Sequence, residues 1–261
     1  MASTAKTNVV EQAIVPDMRE LDQNSRKALA EGPKVRIFRG KQPEAEPVTA
    51  YLSKRALMAF SRPVNEKFTK NPDCTELRLN PDLFSVKTIK HLCDYMNGLC
   101  RTKNAFTMNA SSNLIDNIAI YRAGKMWGLD VYLSKLARSI LGAVQDTEKL
   151  ISYTALTMIS NLDMKDPVFN CAAEVFADLR RKDLIPDRED FEEWLDSRTA
   201  FHLAMDRWHH WHVEKEENAE AYRARQQRAA EQAQREAHRA ALDEYYSDWR
   251  NHPYWQRARG L

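Results

Sequence analysis

A group of four histidines is the first candidate for chemistry in this sequence: His202, His209, His210 and His212. His209 and His212 lie three residues apart, a spacing that could bring two imidazole rings to one face of a helix. A metal site needs further ligands, and neither an HExxH motif nor a cysteine pair accompanies these histidines. We therefore expect solvated or capping histidines here, and no metal or cofactor site.

Two further groups of reactive side chains are catalytic candidates, the carboxylates Glu192, Glu193 and Asp196 and the thiols Cys93 and Cys100. The carboxylates fall on the polar face of an amphipathic helix, where solvation is the ordinary state of such groups. The two cysteines fall on or near an apolar helix and suit the role of small core residues. His91 faces a different side of that helix from Cys93, which argues against a thiol–imidazole dyad. The sequence predicts no catalytic residue and a protein that is not an enzyme.

The composition favours a helical protein without a membrane-spanning segment. The chain has 261 residues, 43% of them hydrophobic and 29% charged, enough for one large or two small domains. Only 7 glycines are present, which disfavours nucleotide-binding loops, and no apolar run of about 18 residues exists. The net charge of +2 is too small to argue for nucleic acid by itself. Four cysteines without a CxxC pair, and an N-terminus without an apolar signal segment, favour an intracellular, reduced protein.

Three short segments predict the strands of a small sheet. Val35–Phe38 and Val48–Leu52 flank a turn-like stretch and suit a hairpin, and Thr75–Leu79 alternates like a third strand. Between the second and third segments, helical spacing predicts two short helices that begin at the N-cap Ser53 and are separated at Pro63. A small sheet followed by helices indicates an α+β fold.

The helix predicted over Pro81–Cys100 is the element around which this part of the chain is arranged. Its apolar residues recur at three- and four-residue steps and form one stripe: Leu83, Val86, Ile89, Leu92, Cys93 and Met96. Pro81-Asp82 suits its start and Asn97-Gly98 its end. Two more helices, Asn113–Leu129 and Val131–Val144, follow a loop. The predicted fold class is α+β, a small three-stranded sheet capped by a helical array.

The ordered set of segments resembles a BTB/POZ domain, and more closely the divergent fungal members of that family. In TAYLSKRALMAFS, Ser53-Lys54 stands where the family usually carries a His-Lys or His-Arg pair, while Leu57 and Ser61 match the family pattern. Phe68 matches the aromatic residue that follows the second short helix. Matching positions in the central block TELRLNPDLFSVKTIKHLCDYMNGL are Leu79, Phe84, Leu92, Tyr95 and Gly98. The family's closing helical hairpin is matched by Leu114, Ala123, Trp127-Gly128-Leu129 and Leu133.

The resemblance implies an interaction domain that forms homodimers through its first strand and first long helix, here Val35–Phe38 and Ser53–Phe60. A buried aspartate, common in the first strand of animal transcription-factor members, has no counterpart in this chain. Members that bind ubiquitin-ligase cullins carry a hydrophobic-x-Glu element after the central helix, whereas the loop Leu99–Asn113 contains no acidic residue. A cullin partner is therefore disfavoured. No zinc-finger spacing or Kelch repeat is present to supply a target-reading half.

Beyond the resemblance, the chain is predicted to remain helical. Residues 146–186 continue as amphipathic helices, and Asp187–Trp211 predicts one strongly aromatic helix. Trp194, Phe201 and Trp208 lie seven residues apart in it, so they share one apolar face. Such a face must be buried against the domain, a second copy or a partner.

The C-terminal part of the chain, from Glu214 onward, is compatible with two structures and with an alternative function. Large apolar residues are nearly absent over Glu214–Arg239, which predicts a long solvated helix with i,i+4 charge pairs, or alternatively a coiled coil. Over Arg223–Arg259, arginines alternate with aromatic residues such as Trp249 and Trp255, which could contact a nucleic-acid backbone and stack on bases. Acidic residues in the same segment dilute that charge, so nucleic acid is the less favoured partner.

These observations divide the chain into a disordered N-terminal tail (1–33), a BTB/POZ-like domain (34–145), a helical extension packed on it (146–186) and an aromatic helix running into a charged, partly solvated helix (187–261). The predicted function is a non-enzymatic protein–protein interaction module, a homodimer that recruits an unidentified protein partner. The alternative is a nucleic-acid or chromatin-associated factor. The residues expected to make the protein contacts are Val35, Ile37, Phe38, Leu57, Phe60, Trp194, Phe201 and Trp208.

Overall fold

The computed structural model describes residues 17–41 and 43–251, with side chains at all of these except 49, 50 and 246–251. Its strands are β1 (Lys34–Arg39), β2 (Glu46–Ser53) and β3 (Glu76–Leu79). Its helices are α1 (Gln23–Ala30), α2 (Lys54–Phe60), α3 (Arg62–Lys70), α4 (Val86–Arg101), α5 (Leu114–Met126), α6 (Ser134–Gln145), α7 (Tyr153–Ser160), α8 (Pro167–Arg181), α9 (Arg188–Asp196) and α10 (Thr199–Asn251). The predicted α+β class and the long C-terminal helix are confirmed. The predictions for residues 1–16 and 252–261 lie outside the described residues.

The sheet has β1 at its centre, paired antiparallel with β2 and parallel with β3. In the hairpin, Lys34 lies opposite Ser53 and Arg39 opposite Glu46, with a shift in register between Val35 and Ile37. Val35 and Ile37 are buried, because alternate residues of a strand point to the same face. Ser53 ends the hairpin and caps α2, since its hydroxyl accepts a hydrogen bond from the Ala56 N–H.

The central helix α4 begins and ends later than the sequence predicts. The hydroxyl of Ser85 accepts a hydrogen bond from the Thr88 N–H and caps the helix. Gly98 does not end it, because the helix continues to Arg101. A Cβ at Gly98 would lie 3.6 Å from the Phe106 ring, an ordinary contact distance, so the following loop passes close to the helix at this position. The predicted boundaries at Pro81 and at Asn97-Gly98 were therefore wrong.

Residues 17–33 are ordered, which corrects the predicted tail for that stretch. Arg26 on α1 is only 3% exposed. Its guanidinium donates hydrogen bonds to the backbone carbonyls of Leu99 (3.1 Å), Thr102 (3.0 Å), Lys103 (2.9 Å) and Leu21 (2.6 Å). Met18 is completely buried, and its N–H donates to the hydroxyl of Tyr132 at 2.9 Å. One buried arginine that satisfies the end of α4 thus holds a segment with few apolar residues.

Two predicted helices of the C-terminal half also have different limits. α7 begins at the N-cap Ser152, whereas the side chain of Asp146 accepts hydrogen bonds in a preceding turn. The single aromatic helix predicted over Asp187–Trp211 is broken between α9 and α10. At the break, the guanidinium of Arg198 donates to the carbonyl oxygen of Trp194 at 2.9 Å, where an intrahelical N–H would otherwise bind. Within the described residues, we find no helix that combines the length and apolar character needed to cross a membrane.

Candidate interaction surface

The first turns of α10 belong to the core of the protein. Phe201 is fully buried, with its ring centroid 5.3 Å from that of Phe169 on α8 and 5.7 Å from that of Trp194 on α9. The indole N–H of Trp194 donates to the Thr157 hydroxyl at 3.0 Å, which satisfies its polar atom. Aromatic packing therefore fixes the direction in which α10 leaves the body of the protein.

Charged side chains extend this attachment along one edge of α10. Arg180 forms a bidentate pair with Glu192 at 2.8 and 2.6 Å and lies 3.5 Å from Asp206 on α10. Nearly three turns further along α10, Arg181 donates to Glu216 at 2.9 Å. Arg181–Glu216 is the last ion pair between α10 and the rest of the protein in the described chain.

Beyond Glu216, α10 continues for residues 217–251, which we call the projecting segment. At 1.5 Å per residue it is about 50 Å long. Every described side chain from Glu220 to Tyr245 is exposed, and Tyr222 retains 62% of its surface. This length of helix is therefore available to another molecule.

The predicted i,i+4 charge pairs do not form in the projecting segment as far as its side chains are described. Between residues 217 and 244, no acidic and basic groups of the described chain approach within ion-pair distance. Its i,i+4 contacts are hydrogen bonds from glutamine amides to Tyr222, Glu231 and Glu236. The arginines and most of the acids are consequently left to solvent.

The residues expected to contact a protein partner lie mostly inside the fold. Val35, Ile37, Leu57, Phe60 and Phe201 are between 0% and 2% exposed, and Phe38, Trp194 and Trp208 are half-buried. The Arg78 guanidinium covers the Phe38 ring at 4.9 Å. The predicted aromatic face could have been buried against the domain, a second copy or a partner. In the structure, α9 and α10 pack most of this face against α8, so the domain itself buries it. These residues build the core and do not gather into one exposed surface.

The thiols of Cys93 and Cys100 are poor nucleophiles. Burial raises the pKa of Cys93 to about 12 and that of Cys100 to about 11. Burial also lowers the pKa of His91, which keeps its imidazole neutral. Both thiols therefore stay protonated near neutral pH, where only the thiolate is a good nucleophile.

The histidines of α10 do not converge on a metal site. His209 and His210 are exposed and their rings contact each other, with centroids 5.9 Å apart. His212 packs against Trp208 and Trp211. Among the residues that the structure describes, no group of three or more histidine, cysteine, aspartate or glutamate side chains could hold a metal ion.

Two depressions on the body are weaker candidates for a functional site than the projecting segment. A broad hollow of about 820 Å³ at the end of the sheet is lined by basic and acidic side chains. Its Arg39 guanidinium already donates to the carbonyls of Phe84 (2.8 Å) and Pro81 (3.0 Å). A groove of about 420 Å³ between α7 and α9 is mainly apolar, lined by Leu150, Ile151, Leu156, Phe176, Ile185 and Phe191. Neither brings a nucleophile together with an activating base.

The charge pattern of the projecting segment sets it apart from the body. No family model, curated protein or solved structure matches the chain. Within the projecting segment, Arg223, Arg225 and Arg228 form a basic run. Asp243 and Glu244 form an acidic run. Sequence reasoning noticed the mixture of charges but missed their separation into runs. Counting charge in windows of about ten residues would have revealed it.

Proposed function

We propose that the protein is a non-enzymatic protein–protein interaction module, in which a BTB/POZ-like domain self-associates and recruits a protein partner. The observation that carries this proposal is the projecting segment, about 50 Å of helix that is anchored at one end and has every described side chain from Glu220 to Tyr245 exposed. A helix presented in this way suits recognition by another helix or groove.

The order of elements supports the BTB/POZ-like part of the proposal. The β1–β2 hairpin is followed by α2, α3, β3, α4, α5 and α6, which is the order of the segments that carry the resemblance. β3 pairs parallel with β1 and completes the three-stranded sheet, and α4 packs on β2.

Self-association through β1 and α2 would use the side chains around the predicted residues instead of those residues themselves. Leu57 and Phe60 face inward, whereas Arg55 is exposed and Tyr51 retains 68% of its surface. A second copy could contact the latter two without disturbing the core. The predicted core residues support such a face from beneath.

The loop after α4 gives no support to a cullin partner. The loop carries no acidic residue, and its backbone forms hydrogen bonds with residues of neighbouring elements. The Tyr95 hydroxyl donates to the carbonyl of Phe106 at 2.8 Å, and the Met108 N–H donates to the carbonyl of Tyr132 at 3.0 Å. We propose a different protein partner and an intracellular location, which four free cysteines support.

Nucleic acid remains the alternative partner, and the described contacts do not favour it. Glu220 and Glu231 flank the arginine run on the same helix and reduce its attraction for a phosphate backbone. Binding of duplex DNA or RNA at low salt, lost on replacement of the three arginines, would favour this alternative over the protein-interaction module.

The proposal is tested with the full chain in two measurements. Light scattering at tens of micromolar, a weak limit for a specific interface, reports self-association. Immobilised chain in an extract of its native cells reports partners, with an Arg223→Ala, Arg225→Ala, Arg228→Ala variant beside it. A matched control replaces three exposed lysines of the body, Lys67, Lys70 and Lys90. We expect self-association, or one partner retained by the wild type and the control; a monomer that retains no protein would overturn the proposal.

A further inference from the structure

The projecting segment consists of a basic block and an acidic block separated by a mixed centre. Residues 221–230 contain three arginines and no acid, and residues 243–248 contain three acids and no base. Between them, residues 231–242 hold two glutamates, two arginines and one histidine. The midpoint between the two blocks lies near residues 235–236.

The two blocks cannot neutralise each other within one helix. From Arg225 to Asp243 the helix rises about 27 Å, since each residue adds 1.5 Å. Charges at that distance are screened at physiological salt, where the Debye length is about 8 Å. As far as side chains are described, no ion pair forms locally in the segment either. The described charges of both blocks, from Arg223 to Glu244, therefore remain available to charges on another molecule.

We propose that a second copy of this chain covers the projecting segment, with the two helices antiparallel and a two-fold axis near residues 235–236. This inference rests on the proposed function and names the occupant of its surface. In this register the basic block of each copy lies at the level of the acidic block of the other, and position 223 faces position 248 on the side of α10 that carries Ala230. The contact is isologous, so each complementary pairing occurs twice.

Charge and shape both select the antiparallel arrangement. A parallel pair in register would set arginines against arginines and acids against acids, which is unfavourable. In the antiparallel register Glu220, where continuous exposure begins, lies opposite residue 251, the last described residue of α10. The body that ends at the Arg181–Glu216 pair then lies beyond the described end of the other helix. For the part of the chain that the structure describes, the two bodies sit at opposite ends of the pair.

The facing positions are compatible with close approach of the two helices. On the face of α10 that carries Ala230, Ala230 lies opposite Ala241 and Gln234 lies opposite Ala237, because residues at three- and four-residue steps share one face of a helix. Small side chains at such positions let backbones come near and bring flanking charges into range. The charge blocks select the partner, and the alanines allow it to approach.

Charge reversal in the full chain tests the pairing. One variant carries Arg223→Glu, Arg225→Glu and Arg228→Glu, a second carries Asp243→Arg, Glu244→Arg and Asp248→Arg, and a third combines both sets. Sedimentation equilibrium should show the dimer dissociation constant raised at least about tenfold in each single-block variant, because each opposed pair of charges contributes modestly and all occur twice. The combined variant should return to the wild-type constant, because complementarity is restored. A Lys67→Glu, Lys70→Glu, Lys90→Glu control on the body should leave the constant unchanged, and circular dichroism checks that helix content is kept.

Cysteine cross-linking tests the direction of the helices. A chain with Ala230→Cys and Ala241→Cys should form covalent dimers with a short thiol-reactive cross-linker, above the background of the wild-type thiols. A chain with Ala230→Cys alone should not, since residue 230 meets its own copy only in a parallel pair. Efficient linking through this single cysteine would overturn the antiparallel arrangement.

The remaining outcomes separate this inference from the proposed function. A dimer that ignores the charge reversals overturns the helix pairing and leaves self-association through the domain standing. A monomer that retains a different protein on the arginine run overturns the second copy as occupant and the proposed self-association, and leaves the recruitment of a protein partner standing. A monomer without any retained protein overturns both.

Discussion

The two parts of α10 share one uninterrupted helix and differ in what stabilises it. In residues 199–216, Phe201 and Met205 are at most 1% exposed and ion pairs with α8 hold the outer edge. In the projecting segment every described side chain from Glu220 onward is exposed. The first part is helical because tertiary packing requires it. The second relies on residues with high helix propensity, mainly alanine, arginine, glutamate and glutamine.

This difference shows how a folded body can extend a helix beyond itself. Nucleation is the costly step in forming a helix, whereas adding residues to an existing one is nearly neutral or favourable for good helix formers. The anchored part supplies the nucleus, so the projecting segment needs only elongation. Its surface can then be selected for a partner and not for a core.

The largest expected contrast comes from truncating one aromatic side chain in each part. Phe201→Ala should lower the free energy of unfolding by about 3–5 kcal/mol, because it leaves a cavity between Phe169 and Trp194. Tyr222→Ala should change it by less than about 0.5 kcal/mol, since the side chain is exposed. Urea denaturation of dilute protein measures both. Equal costs would show that the two parts of α10 are not distinct.

A smaller contrast is expected for arginines. Arg180→Ala removes the bidentate pair with Glu192 and the contact with Asp206, which should destabilise the protein by about 1 kcal/mol because the groups are partly exposed. Arg225→Ala should leave the free energy of unfolding of the monomer unchanged, since Arg225 has no partner within the described chain. A substantial loss of monomer stability in Arg225→Ala would mean that the projecting segment contacts the body.

The smallest expected contrast is in how much stability the protein loses at low pH when an aspartate of the body or one of the projecting segment is replaced. Burial raises the pKa of Asp178, but hydrogen bonds and attraction from Lys182 and Arg181 outweigh it, so the pKa lies below its ordinary value. A depressed folded pKa gives stability that is present above the unfolded pKa of about 4 and is lost as the pH falls through the lower folded value. Asp178→Asn should therefore lose less stability than the wild type between pH 7 and pH 3. Asp243→Asn is the control and should match the wild type; if Asp178→Asn matched it too, Arg181 would not be held as described.

Much of the fold follows from local pattern in the sequence, and the rest depends on distant contacts. The three strands, the N-cap Ser53 and the stripe of the central helix are visible in residue spacing alone. Gly98 misleads, because a glycine often marks the end of a helix, whereas α4 continues past it to Arg101. The ordering of α1 could not be predicted from local sequence, because it depends on hydrogen bonds from Arg26 to backbone carbonyls more than seventy residues away.

The interaction surface was harder to predict than the fold. Large apolar residues were expected to form it, and Val35, Leu57 and Phe201 turned out to be core. Apolar periodicity reports burial but does not say what covers the residue. The projecting segment is identified only when the structure shows where ion pairs with the body end, at Glu216, and where continuous exposure begins, at Glu220.

Hydrogen exchange along α10 at two protein concentrations tests the central claim most directly. Amides of residues 201–216 should be protected equally at low and high concentration, because the body holds them. Amides of residues 217–251 should exchange rapidly when the chain is monomeric and slow markedly as it associates, and in the basic-block reversal this slowing should require a protein concentration at least about tenfold higher. Exchange in the projecting segment that does not depend on concentration, in a chain that dimerises, would contradict the account.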